Sequence, residues 1–337
     1  MTNPTATHPR DALFDADETA VALLPVCDHY CGVESRMRKS LALQAELGPV
    51  FDITFDCEDG APIGGETEHA HLVAELAMSA ENRFGRVGAR VHPVDHPSFA
   101  DDVATLVGRA GERLAYLMLP KPRGLVDVER ACAEIDHQSR VRGLSRALPV
   151  HVLVETHGAL REVERIAAHL RIESISFGLM DFVSAHRGAI PASGMSVEGQ
   201  FTHPLVLRAK LAIAAACHGF AKTPSHSVVT EFNDASAIMA AATRASRELG
   251  YTRMWSIHPN QIEPIVEAFA PTAAEVEQAC QIIMAAQDAQ WAPINHRQYG
   301  RDTLHDRASY RYFWRVLERA QRTGQPLPAE VRLRFFS

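Results

Sequence analysis

Two carboxylates carry the first indication of chemistry. Glu155 closes the apolar run in HVLVET (151–156), and Asp181 closes ISFGLMD (175–181). In both, a β-branched stretch gives way to glycine and a new helical pattern. Acids at the C-terminal ends of successive parallel strands stand where a (β/α) barrel keeps its reacting groups. Two hard oxygen ligands, with room beside them for water and substrate, suit a divalent cation such as Mg2+. The sequence does not separate Mg2+ from Mn2+. The competing reading for each acid is a cap on the helix that follows it.

The elements that must hold these acids alternate along the chain. Candidate strands fall at 21–26, 51–59, 85–92, 114–121, 148–155, 172–179, 218–224 and 253–259. Helical patterns lie between them, at 34–46, 66–82, 98–110, 125–139, 158–169, 204–216, 231–249 and 261–268. Eight strands, each with a helix after it, predict an α/β fold closed as a (β/α)8 TIM barrel rather than an open sheet. No GxGxxG loop competes with that reading. The barrel is expected over 19–270, after a polar, frayed N-terminus at 1–18. A C-terminal helical extension at 271–337 looks too small for a good core of its own, so it should pack on the barrel or on a neighbouring subunit.

Strand parity says where the charges point. In FDITFDCED, Phe51, Ile53, Phe55 and Cys57 share one face, and Asp52, Thr54, Asp56 and Glu58 the other. The apolar face should meet helices and the acidic face the barrel interior. Buried acids need partners, because an unpaired buried charge costs several kcal/mol. The next strand offers Arg86, Arg90 and His92 on one face, and a Glu58–Arg90 contact would fix the guanidinium plane. Lys121, at the end of LMLPK, adds a second cation at the same rim.

Composition narrows the class. A 46% hydrophobic, 22% charged chain of 337 residues reads as a soluble globular protein. Its net charge of −7 argues against a broad nucleic-acid surface. No run approaches the ~18 apolar residues of a membrane span, and no secretory signal opens the chain. Six cysteines without zinc-like pairing point to a reduced, cytoplasmic protein.

With ED-G (58–60), ARVHP (89–93), LPK (119–121), VET (154–156), FG-xx-DF (177–182) and IHPNQ (257–261) in this order, the chain resembles the HpcH/HpaI aldolase and citrate lyase β-subunit family. It is most similar to the branch that includes malyl-CoA lyases. The resemblance implies a barrel of the phosphoenolpyruvate/pyruvate type, Mg2+-dependent carbon–carbon lyase chemistry beside a carbonyl, and trimers or hexamers. It places the metal on Glu155 and Asp181, the substrate-polarising arginine on Arg90, and a supporting acidic pair on Glu58 and Asp59. Gly178, Leu179 and Met180 would offer backbone to a substrate carboxylate, with Lys121 close by. An acid from a neighbouring subunit's C-terminal segment would complete the site, matching Asp306 or, alternatively, Asp302.

The sequence also departs from that pattern. The first strand lacks the family's opening arginine and VPG ending, His92 replaces an amide, and FAKTPSHS (220–227) lacks an acid. These edges border the region where the family holds coenzyme A, although Arg36, Arg38 and Lys39 could still meet phosphates. The reading is therefore a lyase acting on a 3-hydroxyacyl-CoA or related hydroxy acid. The alternatives are an aldolase of free 4-hydroxy-2-keto acids, or a lyase-complex subunit inactive without partner chains.

Overall fold

The structure is a computed structural model that describes residues 7–15, 23–298 and 300–336. Its contacts divide the chain into two compact units, Leu24–Phe269 and a second unit made from the two ends of the chain.

The first unit is a closed barrel of eight parallel strands in sequential order. These are β1 Cys27–Cys31, β2 Phe51–Asp56, β3 Val87–Arg90, β4 Leu114–Leu119, β5 Val150–Val154, β6 Ile172–Phe177, β7 Thr223–His226 and β8 Arg253–Ser256. β1 pairs with β8, which closes the ring. Helices on the outside bury one stripe each. In Phe99–Ala110, Val103, Leu106, Val107 and Ala110 face inward at helical spacing, while Asp101 and Asp102 occupy the first turn and Arg109 the last, complementing the helix dipole.

Six strands fall inside the predicted ranges; β1 and β7 do not. The run at 21–26 is not the first strand, which starts at Cys27 (residues 21 and 22 lie outside the described residues). At the seventh, the preceding helix runs on to Gly219 and the strand starts at Thr223.

The parity of β2 holds. Phe51, Ile53 and Phe55 join the core shared with the helices. Asp52 and Thr54 reach inward: Arg253 donates to Asp52 at 2.5 Å, and the Thr54 hydroxyl donates to Asp28 at 2.8 Å. Opposite them, a Cβ at position 88 would stand 2.2 Å from the Tyr116 ring, so glycine there makes room for the ring. Two residues further along their strands, Tyr30, Met118, Leu153 and Trp255 form an apolar layer. That layer separates the lower polar cluster from the C-terminal rim.

The second unit corrects two expectations. Within 7–15 the N-terminus is ordered: Pro9–Leu13 is a helix, and Leu13 is fully buried. The C-terminal extension does have a core, in which Leu13 and Phe14 join Ile282, Tyr310, Trp314, Leu317 and Val331. Arg10 is fixed to the buried Glu318 at 2.9 Å. Its helix Ala273–Asp288 starts with a reciprocal cap between Thr272 and Glu275. A two-stranded hairpin, β9 Ile294–Gln298 and β10 Arg301–His305, was not expected from the sequence.

Candidate active site

The site is built at the C-terminal rim of the barrel. Glu155 follows β5 and is 2% exposed. It does not cap the next helix, because the Thr156 side chain takes that role by accepting from the Ala159 N–H. Its carboxylate accepts instead from the backbone N–H of Lys121 at 2.7 Å. Lys121 reaches this position with φ of 50°, a left-handed conformation costly for a residue with a side chain.

Asp181 lies in the first turn of the short helix Leu179–Ser184, which no side chain caps. Gly178 is required here for a reason beyond substrate approach. A Cβ on it would stand 2.4 Å from Glu155 Oε2 and 2.6 Å from Glu155 Cβ. Burial first, and then the nearby Asp181 carboxylate, push the Glu155 pKa well above its usual range, against the pull of the Lys121 N–H. Two acids this near raise the cost of ionising both, a cost that a nearby positive charge relieves.

Arg90 faces them from the end of β3. Its Nε and Nη2 donate to the two oxygens of Asp56 at 2.8 and 2.5 Å. Glu58 Oε2 stands 3.1 Å from Nη1, a charge contact without hydrogen-bond alignment. The expected Glu58–Arg90 pair is thus present, but Asp56 is what fixes the guanidinium plane. The alternation of β2 had put Asp56 on the inward face, which is the signal that could have assigned it. Burial pulls the Arg90 pKa down, but Asp56 and Glu58 outweigh it, so the group stays charged. Lys121 Nζ bridges Glu58 and Asp59 at 2.5 and 2.6 Å, and these two acids likewise outweigh burial to raise its pKa. A protonated, doubly paired lysine is not a Schiff-base nucleophile.

Beside this rim, a cavity of about 450 Å3 is lined by His29, Tyr30, Arg36, Lys39, Phe232 and His258, among others. Phe232 stacks on His258 with ring centroids 4.7 Å apart. Burial lowers the His29 pKa to about 4, so the ring is neutral near pH 7. Arg38 is instead held by Glu34 at 2.9 Å on an exposed face.

Asp302 and Asp306 belong to the second unit. Asp306 caps the helix Arg307–Arg322, accepting from the N–H groups of Ala308 and Ser309. Asp302 is exposed, with Arg297 4.0 Å away.

A closed parallel barrel whose C-terminal rim carries an acid pair, a carboxylate-clamped arginine and a paired lysine has the layout of a barrel enzyme's active site. The family model for HpcH/HpaI aldolase/citrate lyase matches residues 50–259. The chain belongs to this family and is a carbon–carbon lyase of the aldolase and citrate lyase kind.

Among relatives, an L-malyl-CoA/β-methylmalyl-CoA lyase of Cereibacter sphaeroides is 30% identical over 247 residues, covering 70% of this chain and 77% of the relative. A solved structure described as a citrate lyase, from Burkholderia xenovorans, is 53% identical with a TM-score of 0.82, covering 98% of this chain and all of its own. The CitE protein of Mycobacterium tuberculosis, solved with magnesium, acetoacetate and coenzyme A, shares the fold at 19% identity, with a TM-score of 0.65 over 88% of this chain and 98% of its own. No helix among the described residues is long and apolar enough to cross a membrane.

Proposed function

We propose that the chain is a Mg2+-dependent lyase that cleaves or forms the carbon–carbon bond of a 3-hydroxyacyl-CoA or a closely related hydroxy acid. The observation that carries this reading is the buried Glu155 beside Asp181, two carboxylates with one backbone donor between them and a charged arginine opposite. Glu155 and Asp181 would hold the ion, and their all-oxygen chemistry fits a hard cation that keeps waters and takes substrate oxygens. Bound there, Mg2+ supplies Lewis-acid stabilisation of negative charge on substrate oxygens.

The chain's own groups do the rest. Arg90, locked flat by Asp56, presents a fixed positive charge to the oxygen on which charge develops, with no reorganisation during reaction. Lys121 holds Glu58 and Asp59 in place and orients Glu155 through its backbone. The uncapped start of the helix Leu179–Ser184 leaves the Leu179 and Met180 N–H groups to receive a substrate carboxylate. In the neighbouring cavity, Arg36 and Lys39 suit the phosphates of coenzyme A. Asp306 from a second copy, in a trimer or hexamer, is the base that the resemblance offers. Its carboxylate already accepts the N–H groups of Ala308 and Ser309 at the start of its own helix. Six buried free cysteines suit a reducing compartment such as the cytoplasm.

The test is turnover of purified protein on 3-hydroxyacyl-CoA thioesters and on free 4-hydroxy-2-keto acids, with Mg2+ and again after EDTA. Thioester cleavage that stops on chelation and returns with Mg2+ is expected. Cleavage confined to the free acids would make the protein an aldolase without coenzyme A. Absence of turnover on both, or turnover indifferent to EDTA, would overturn the reading.

A further inference from the structure

Asp56 holds the Arg90 guanidinium along one edge, through Nε and Nη2, and a plane held along one edge can still tilt about it. A second restraint comes from the face. The ring of Tyr30 lies under the group, with the guanidinium carbon 5.6 Å from the ring centroid. That is inside the roughly 6 Å over which a cation is drawn to an aromatic face. The strand register explains the placement. Tyr30 on β1 pairs with Thr54 on β2, and Arg90 on β3 pairs with Asp56, two residues further along β2. Arg90 therefore leaves its strand one layer above the ring.

Tyr30 is itself fixed. It is buried, and Trp255 stacks on it with ring centroids 4.3 Å apart and an interplanar angle of 23°. Indole, phenol and guanidinium make one chain of contacts from the apolar layer to the rim. Burial first, and then the charge of Asp28, push the Tyr30 pKa well up, so the ring is a neutral phenol. Its hydroxyl has no hydrogen-bond partner among the described residues. What Tyr30 offers Arg90 is therefore a π-face, not an ionic or hydrogen-bonded contact. With Nε and Nη2 turned to Asp56, Nη1 is the nitrogen without an aligned acceptor among the described residues. Tyr30 belongs to the strand end HYCG (29–32), which departs from the family's VPG, and it also lines the cavity beside the rim.

We propose that Tyr30, backed by Trp255, is a positioning residue for the reaction. Its ring holds the Arg90 guanidinium from the face while Asp56 holds the edge, so that Nη1 stays aimed at the oxygen on which charge develops. The proposal rests on the lyase reading above. An aliphatic side chain would fill the layer but let the guanidinium tilt. A tilted donor costs rate even where its charge is unchanged, because the geometry toward the transition state is no longer held in advance.

The experiment measures kcat at saturating substrate for the wild type, Tyr30→Leu, Tyr30→Phe, Arg90→Lys and the double variant Tyr30→Leu/Arg90→Lys, on whichever thioester or hydroxy acid the wild type cleaves. Saturation removes any change in affinity that arises because Tyr30 also lines the cavity. Tyr30→Leu should lose roughly 3- to 30-fold in kcat, with folding confirmed by its melting curve; Tyr30→Met takes its place if the leucine variant does not fold. Tyr30→Phe restores the ring without the hydroxyl and should stay within about 2-fold of the wild type. Arg90→Lys leaves no plane to hold, so in that background Tyr30→Leu should cost only about 2-fold or less, the non-additivity expected of groups that act together. With an active wild type, any one of three results would overturn the positioning role alone: unchanged kcat in Tyr30→Leu, a Tyr30→Phe loss as large as that of Tyr30→Leu, or an undiminished Tyr30→Leu loss in the double variant. A wild type inactive on every substrate would overturn the lyase reading with it.

Discussion

Two clusters of charge share one barrel, and they are balanced differently. Near the strand starts, Arg253 is wholly buried between Asp28 at 3.1 Å and Asp52 at 2.5 Å. Tyr116 and Thr54 hydroxyls both donate to Asp28 Oδ1, at 3.0 and 2.8 Å, and Arg86 adds a second cation 3.8 Å from Asp52. Charges match and groups face one another. At the rim, Arg90 and Lys121 face Asp56, Glu58, Asp59, Glu155 and Asp181, so two cations meet five acids. The lower cluster matches its charges, although Asp28 Oδ2, Asp52 Oδ1 and Arg253 Nε make no hydrogen bond among the described residues, and the upper one keeps an excess of acids. A buried charge network can be satisfied for stability or left in deficit for chemistry, and this protein keeps both, separated by the apolar layer of Tyr30, Met118, Leu153 and Trp255.

The sharpest way to break this contrast is to remove one charge from each cluster. Glu155→Gln should cut metal-dependent kcat by on the order of 10³ or more. At neutral pH in EDTA it should nonetheless melt no lower than the wild type, and probe temperature scans should show it higher. The sign follows from the raised pKa: ionising a buried acid disfavours the fold above its unfolded value, and glutamine has nothing to ionise. Arg253→Met should do the reverse, lowering stability by about 3–5 kcal/mol because two buried acids lose their partner, with kcat per folded molecule retained. If Glu155→Gln destabilises the metal-free protein as much as Arg253→Met does, the two clusters are alike and the contrast fails.

A smaller effect is expected from Arg90→Lys, which keeps the charge and loses the planar fork to Asp56. Steady-state kinetics should show kcat falling on the order of 10²-fold with little change in KM; a change in KM alone would make Arg90 a ground-state binding group. Gly178→Ala should displace Glu155 and lower kcat by roughly 10- to 100-fold, with the far-ultraviolet spectrum unchanged. The smallest effect concerns His151 and Glu173, paired at 2.8 Å beneath the apolar layer. Burial raises the Glu173 pKa, but the His151 hydrogen bond and charge outweigh it and hold it low. Its stabilisation is therefore present above the unfolded carboxyl value, about 4.3, and lost as pH falls through the lower folded value. Wild type should melt above Glu173→Gln at pH 6, and the gap should close below about pH 4.

Where sequence patterns succeeded and failed follows the same division of charge. Strands whose outward faces are strongly apolar, such as Phe51–Asp56 and Val150–Val154, were legible because they alternate against the helices. β1 and β7 were not. CDHYC and TPSH put polar groups on both faces and show no clean alternation, while the apolar run before β1 drew the first strand toward 21–26 and HGFAKTP drew the seventh to 218–224. Glu155, Asp181 and Arg90 were marked by their positions at strand ends. Asp56 was visible in the parity of β2 but was passed over for Glu58, because chain spacing does not say which of two inward acids a guanidinium will reach. The Asp102–His92 bond joins a strand end to a helix ten residues on, and no local spacing announces such a contact. The core of the second unit was missed because the five residues of Pro9–Leu13 are too few to show a period.

That core has a consequence for how the molecule is made. Leu13 and Phe14, ahead of the first barrel strand, pack with Tyr310, Trp314 and Val331, beyond the last. The barrel strands all lie between them, so the barrel can close on the ribosome while the N-terminal helix still waits for its partner. Residues 7–15 are thus committed after the barrel although they emerge before it. A chain halted before residue 310 would leave Leu13 and Phe14 without these packing partners.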